Sequence, residues 1–263
     1  MKRRTVWAGF LVVLFAAACG SSAPPTAPSP VVVPPVDSSP TPPAPAPPPP
    51  PTLGITRILA FGDSMTEGTT SPTFTPFTLT AGRPESYPFK LRALLNSRYT
   101  AQSIDVYNAG SAGEDAGGSI ARDRLTGAMS ESKPQLLLLM EGANDLNKVP
   151  LDSTNVTLIV GAMEDMVRNA TGRGVTVMLA TIPPQRVGGK GSPRLVEKYN
   201  NELKVMAGKK GAILVDVNAM LPLSMIGQDG LHPTEAGYQK LAEIWQDAIK
   251  VRYETAPPSI ARR

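Results

Sequence analysis

The chain has 263 residues, 26 Lys and Arg against 22 Asp and Glu, one Cys and one His. A net charge of +4 without a basic-aromatic cluster is no nucleic-acid footprint. One cysteine excludes an intrachain disulfide, and one histidine leaves no Cys/His cluster for a transition metal. The length suits one domain of ordinary size plus appendages. The appendages come first in chain order: a basic "MKRR", the apolar run "VWAGFLVVLF", then "AAAC". A spanning helix needs roughly 20 apolar residues, so this run is too short to cross a membrane and has the length of a signal peptide.

This start resembles a bacterial lipoprotein signal, with residues 1–18 removed and Cys19 the lipidated first residue of the mature chain. Ala16 stands where such signals usually carry Leu. Ala16-Ala17-Ala18 also reads as a conventional A-x-A cleavage site, which cuts the same bond. The lone thiol of an exported protein favours lipidation. The resemblance implies a cell-envelope lipoprotein with an N-terminal lipid as its membrane contact, or a secreted soluble protein if Cys19 is unmodified.

Residues 20–52, "GSSAPPTAPSPVVVPPVDSSPTPPAPAPPPPPT", include 15 of the chain's 28 prolines. Such a segment forms neither helix nor ladder and extends as polyproline II, at ~3.1 Å per residue. It reads as a stiff tether for a domain spanning 53–263. Setting aside Lys2, Arg3, Arg4 and Asp37 leaves 23 of 26 basic and 21 of 22 acidic residues, a net charge of +2.

From Leu53 onward short apolar runs alternate with helical periodicity. The runs are "RILAF", "IDVYN", "QLLLLM", "VTVMLA" and "AILVDV". Helical spacing recurs at Tyr87, Leu91, Leu94 and Leu95; at Val156, Ile159, Val160, Met163 and Val167; at Leu195, Tyr199, Leu203 and Met206; and at Tyr238, Leu241, Ala242, Trp245 and Ile249. Ser192-Pro193 suits a cap and first residue for the third helix. Near-continuous apolar strands separated by helices predict a five-stranded parallel sheet covered on both faces. With right-handed crossovers this is an α/β three-layer sandwich, flavodoxin-like in kind.

In such a sheet all carboxyl ends meet at one edge, where ligands bind. "GDSMTEG" follows the first run, "AGSAGED" the second, "EGANDL" the third and "GQDGLHPTEAG" the fifth. Ser64 in the first is a cap or a nucleophile, and the second role needs a base. His232 is the one histidine available, and Pro233 suits the first position of the last helix, which puts His232 at its cap. Asp229, one turn earlier, can orient the ring as the acid of a Ser-His-Asp arrangement. Acyl transfer also needs donors for an oxyanion. The backbone N–H groups of Ser64 and Gly113 and the Asn144 side-chain amide are candidates, although Asn144-Asp145 is also a good turn pair and Gly110 and Gly113 could be turn glycines. "AGSAG" at 109–113 imitates a nucleophile elbow but begins with Ala, and no helix follows directly. "VGGKGS" at 187–192 lacks phosphate-loop spacing and reads as a loop. Asp63 stands in no carboxylate-rich stretch that would hold a hard cation.

"GDSMTEG", "NAGSAGED", "GANDL" and "DGLHPTEAGY", in this order and on this strand pattern, resemble the SGNH (GDSL-type) hydrolases over essentially all of 53–252. The resemblance implies Ser64 as nucleophile, His232 as base, Asp229 as orienting acid, and Ser64, Gly113 and Asn144 as oxyanion donors. Gly113, just before the acidic pair, fits the family glycine better than Gly110, and Met65 replaces the usual leucine. It implies an ester hydrolase needing no metal or other cofactor, whose partner is an acyl ester: a small molecule, a lipid or an acetylated glycan. The preferred reading is a short-chain carboxylesterase or carbohydrate deacetylase. An O-acyltransferase of envelope glycans would use the same residues, and a degenerate glycan-binding surface protein is the non-enzymatic alternative. The long connection from Thr69 to Ser86, with Phe74 and Phe77, reads as a binding loop or lid.

Overall fold

The computed structural model describes residues 49–69, 84–148 and 153–255. The signal segment, Cys19, most of the proline-rich stretch, and Phe74 and Phe77 lie outside these residues. The elements in chain order are β1 (Thr52–Leu53), β2 (Arg57–Gly62), α1 (Ser64–Glu67), α2 (Tyr87–Arg98), β3 (Asp105–Gly110), α3 (Ser119–Ser132), β4 (Leu136–Met140), α4 (Ala143–Lys148), α5 (Ser153–Gly172), β5 (Thr176–Ala180), α6 (Pro193–Lys210), β6 (Ile213–Val215), α7 (Val217–Met220), α8 (Glu235–Tyr253) and β7 (Glu254–Thr255). A 3₁₀ turn at Leu223–Met225 lies between α7 and α8.

Five of the strands form one parallel sheet in the order β3-β2-β4-β5-β6. Every residue of β4, "LLLLM", is buried, as a central strand covered on both faces requires. The chain leaves β2 toward β3, then returns past it to β4 and continues outward. Right-handed crossovers therefore put α2 on one face and α3, α5 and α6 on the other. The helix contacts agree: α2 packs on α8, where Tyr87 and Trp245 stack at 6.2 Å, and α5 packs on both α3 and α6. The order reverses between β2 and β4, and the crevice at such a switch point is where open α/β sheets bind ligands.

The five strands and four periodic helices agree with the expectations from sequence. Three features differ. Helix α3 buries only Ala121, Leu125 and Met129, a single stripe too narrow to stand out, and it ends on Lys133 in a left-handed conformation where a glycine would have marked the stop. Thr52 already belongs to the domain, because β1 pairs antiparallel with β7 through Thr52 and Thr255. Pro233 does not begin α8. Thr234 caps that helix, its hydroxyl accepting from Gly237 N–H, while Pro233 bridges to Ile226. A hydroxyl that satisfies an orphan N–H is the stronger start signal.

Candidate active site

Ser64 is delivered by the end of β2. Asp63 caps α1 by accepting from Met65 N–H at 2.9 Å, which turns the chain abruptly and leaves Ser64 as the first helical residue. First-turn N–H groups lack partners within a helix, and no acceptor takes the Ser64 N–H among the described residues. The serine hydroxyl is 2.8 Å from His232 Nε2.

His232 sits in the loop before α8, two residues ahead of the cap. That loop is built on Asp229, whose Oδ1 accepts from the N–H groups of Leu231 and His232, both at 3.0 Å. Its Oδ2 lies 2.5 Å from His232 Nδ1. One carboxylate thus shapes the turn with one oxygen and orients the ring with the other. Burial pushes the Asp229 carboxyl up, but the His232 ring and the two backbone N–H donors outweigh it and hold the group below its usual range. Asp229 is therefore ionised at neutral pH and would favour a protonated His232 ring. Ser64 and His232 are themselves buried, as an active pair shielded from bulk water would be.

The two glycines of the second motif have different surroundings. Gly110 ends β3 with its N–H donated to Asn108 Oδ1, and a Cβ there would lie 2.0 Å from Glu67 N, so it packs the strand end against α1. Gly113 is exposed, has φ +81°, and its N–H meets no acceptor among the described residues. Asn144, near the start of α4 after β4, donates from Nδ2 to Glu114 O at 2.8 Å, which uses one of its two amide hydrogens. Asp145 holds the same loop from below, accepting from Ala116 N–H at 2.7 Å and Gly117 N–H at 2.8 Å. Burial raises its pKa against those bonds. Ser111, the serine of the false elbow, lies in a turn that accepts from Glu114 N–H.

Three strand ends and the loop before α8 thus bring Ser64, Gly113, Asn144, Asp229 and His232 to one edge. Sequence reasoning missed the groups that hold them. Asp63 is acid-rich in space although not in sequence: burial pushes it up to about 7, and the negative charges of Asp145 and Glu114 add to that. Glu141, fully buried one residue beyond β4, is raised well above the carboxylate range by burial and by Asp63. No group of three or more His, Cys, Asp or Glu is arranged to hold a metal ion among the described residues.

A hydroxyl, an imidazole and a carboxylate in hydrogen-bonded series, with unused N–H donors nearby, are the parts of an acyl-transfer site on a flavodoxin-like sheet. A model of the GDSL-like lipase/acylhydrolase family matches residues 60–240, and the chain belongs to that family. A multidomain esterase of Ruminococcus flavefaciens is 30% identical over 122 residues, covering 44% of this chain. The chain spans 16% of that protein's length. Among solved structures, a lipase/acylhydrolase from Enterococcus faecalis is 20% identical with a TM-score of 0.62, covering 78% of this chain and 100% of its own. An acetylxylan esterase from Geobacillus stearothermophilus is 22% identical with a TM-score of 0.58, covering 75% of this chain and 95% of its own. Both share the fold.

Proposed function

We propose that the protein hydrolyses short-chain carboxylic esters through an acyl-enzyme on Ser64, with acetyl groups on carbohydrate hydroxyls as the substrate class. The observation that carries the reading is the series Ser64 Oγ, His232 Nε2, Asp229 Oδ2, closed at 2.8 Å and 2.5 Å. In the first half-reaction Ser64 Oγ attacks the ester carbonyl as its proton passes to His232 Nε2. The tetrahedral oxyanion takes hydrogen bonds from Ser64 N–H, Gly113 N–H and Asn144 Nδ2. Its collapse breaks the ester C–O bond, and the imidazolium returns the proton to the leaving alcohol. In the second half-reaction water gives a proton to His232 and attacks the acyl-enzyme; collapse breaks the bond between the acyl carbon and Ser64 Oγ, the imidazolium returns its proton to Oγ, and the acid leaves. Asp229 stays ionised throughout and supports the imidazolium.

The carbohydrate part of the proposal takes its support from the fold shared with the acetylxylan esterase and from the envelope location that the sequence implies. That location is itself a proposal: lipidation at Cys19, with the proline-rich stretch as a spacer and the chain from Thr52 onward as the working domain. A panel of p-nitrophenyl esters from acetate to palmitate, with acetylated xylan alongside, tests the substrate class. Acetate release from xylan and falling kcat/KM with acyl length support it. Preference for the long chains would contradict it.

A further inference from the structure

Arg124 belongs to none of the motifs, and its side chain joins the first of them to the second. From α3 its guanidinium lies over the Phe61 ring, 4.0 Å from the centroid. Nη1 donates to Ala109 O at 2.6 Å and Nη2 to Gly62 O at 3.2 Å, the carbonyls near the ends of β3 and β2. Nε donates to both Glu114 oxygens, at 2.9 and 2.8 Å, and Nη2 also bonds Glu114 Oε2. Gly62 O accepts a second bond, from Ser111 N–H at 2.9 Å.

Each oxyanion donor is one short step from an atom in this set. Ser64 is two residues after Gly62. Gly113 immediately precedes Glu114. Asn144 Nδ2 is bonded to Glu114 O at 2.8 Å. The three donors come from three separate strand ends, and no direct bond joins Ser64 to Gly113 or Asn144 among the described residues. Beyond the sheet ladders, which end at Gly62, Gly110 and Met140, Arg124 bonds the β2 and β3 ends directly and reaches Asn144 through Glu114.

We propose that Arg124 is a positioning residue for the oxyanion hole, fixing the relative placement of Ser64 N–H, Gly113 N–H and Asn144 Nδ2. The inference rests on the acyl-transfer reading above and deepens it. The chemistry needs arginine: a planar fork can stack on a ring while donating in several in-plane directions to two carbonyls and a carboxylate. Lysine at this position keeps the charge but offers a point donor that cannot hold all three. A hole whose donors are displaced by even ~1 Å loses transition-state stabilisation on the order of 10²-fold, while ground-state ester binding is little affected.

The test compares R124K, N144A and the double variant on the best short-chain ester, with thermal melts and phenylboronic acid inhibition as a mimic of the tetrahedral oxyanion. E114Q, of the same size and with its backbone carbonyl intact, carries the test if R124K fails to fold. The expected result is a kcat lower by roughly 10- to 100-fold with KM changed less than about twofold. Boronate affinity falls in proportion to kcat, the pH profile keeps its midpoint, and the double variant is little worse than N144A, since both act on one hole. A folded R124K with wild-type kcat overturns the inference, as do losses that multiply with N144A. A wild-type enzyme that hydrolyses no ester would instead remove the acyl-transfer reading itself, which an active wild type with an unaffected R124K would leave standing.

Discussion

Gly189 and Gly230 meet backbone to backbone: a Cβ on Gly189 would lie 2.7 Å from Gly230 Cα and 2.5 Å from Asp229 O. The loop that carries Gly189 donates Lys190 N–H to Asp229 O at 2.7 Å and Arg186 N–H to Gly230 O at 2.9 Å. Arg186 also donates from Nε and Nη2 to Ile226 O, at 3.0 and 2.9 Å. "VGGKGS", which reads as a plain loop in the sequence, is therefore the seat of the Asp229 turn. Gly189 lacks a positive φ, so G189A adds a methyl without backbone strain of its own. The methyl must push Asp229 away from its place, and His232 with it. G189A is expected to lower kcat/KM by roughly 10- to 100-fold while circular dichroism is unchanged. Wild-type kinetics in that variant would show that the loop does not hold the acid.

N144A is expected to fold normally and to lose roughly 10²–10³ in kcat with little change in KM, the usual loss for one oxyanion donor. The amide hydrogen not taken by Glu114 O is the one at issue. Turnover near that of wild type would leave Asn144 as a loop anchor only.

The turn at Asp63 and Ser64 has a stability cost that depends on pH. Asp63 is fully buried with its pKa raised to about 7, chiefly by burial, while an unfolded carboxyl titrates near 3.8. Between those values the native state holds a proton that the unfolded state has released, so stability falls as pH rises from about 4 to about 7 and levels off above. The full effect of a shift this large is on the order of 4 kcal/mol. Asp63 Oδ2 and both Glu141 oxygens lack hydrogen-bond partners among the described residues, and the Met65 N–H on Asp63 Oδ1 only partly offsets the cost of ionising the buried carboxyl. D63N keeps an oxygen for Met65 N–H and removes the titration. Urea unfolding across pH 4–8 should show a flatter profile for D63N and a higher stability than wild type at pH 8. Parallel profiles would contradict this account of Asp63.

These supporting groups explain what sequence could and could not reveal. The strands were readable because each is a short run, almost wholly apolar in β2, β4, β5 and β6 and less so in β3, and Ser64, Asn144 and Asp229 follow such runs at intervals that a parallel sheet brings together. The single histidine left one candidate for the base, and its ring lies between Ser64 and Asp229. Helix α3 was hidden because its inward stripe is only Ala121, Leu125 and Met129. Arg124 was hidden with it, since no local pattern announces that an exposed-looking arginine will reach two strand ends. Asp63 misled for the same reason: Glu114 and Asp145, which make its surroundings acidic, arrive from other segments. Both Thr234 and Pro233 could start a helix, and only the hydrogen bond to Gly237 decides between them.

C19A is expected to be exported and cleaved, because Ala16-Ala17-Ala18 remains, yet to leave the membrane fraction. Fractionation of cells expressing wild type and variant checks this. Identical partitioning would mean that Cys19 carries no lipid anchor.

The central claim is that Ser64 is a nucleophile activated by His232, and a fluorophosphonate probe with peptide mapping tests it most directly. Wild type should gain one phosphonyl group, on the peptide containing Ser64. S64A should gain none, and H232A should react at least ~10³-fold more slowly, as a serine without its base does. No labelling of the folded wild type, or labelling that persists in S64A, would contradict the serine-hydrolase account.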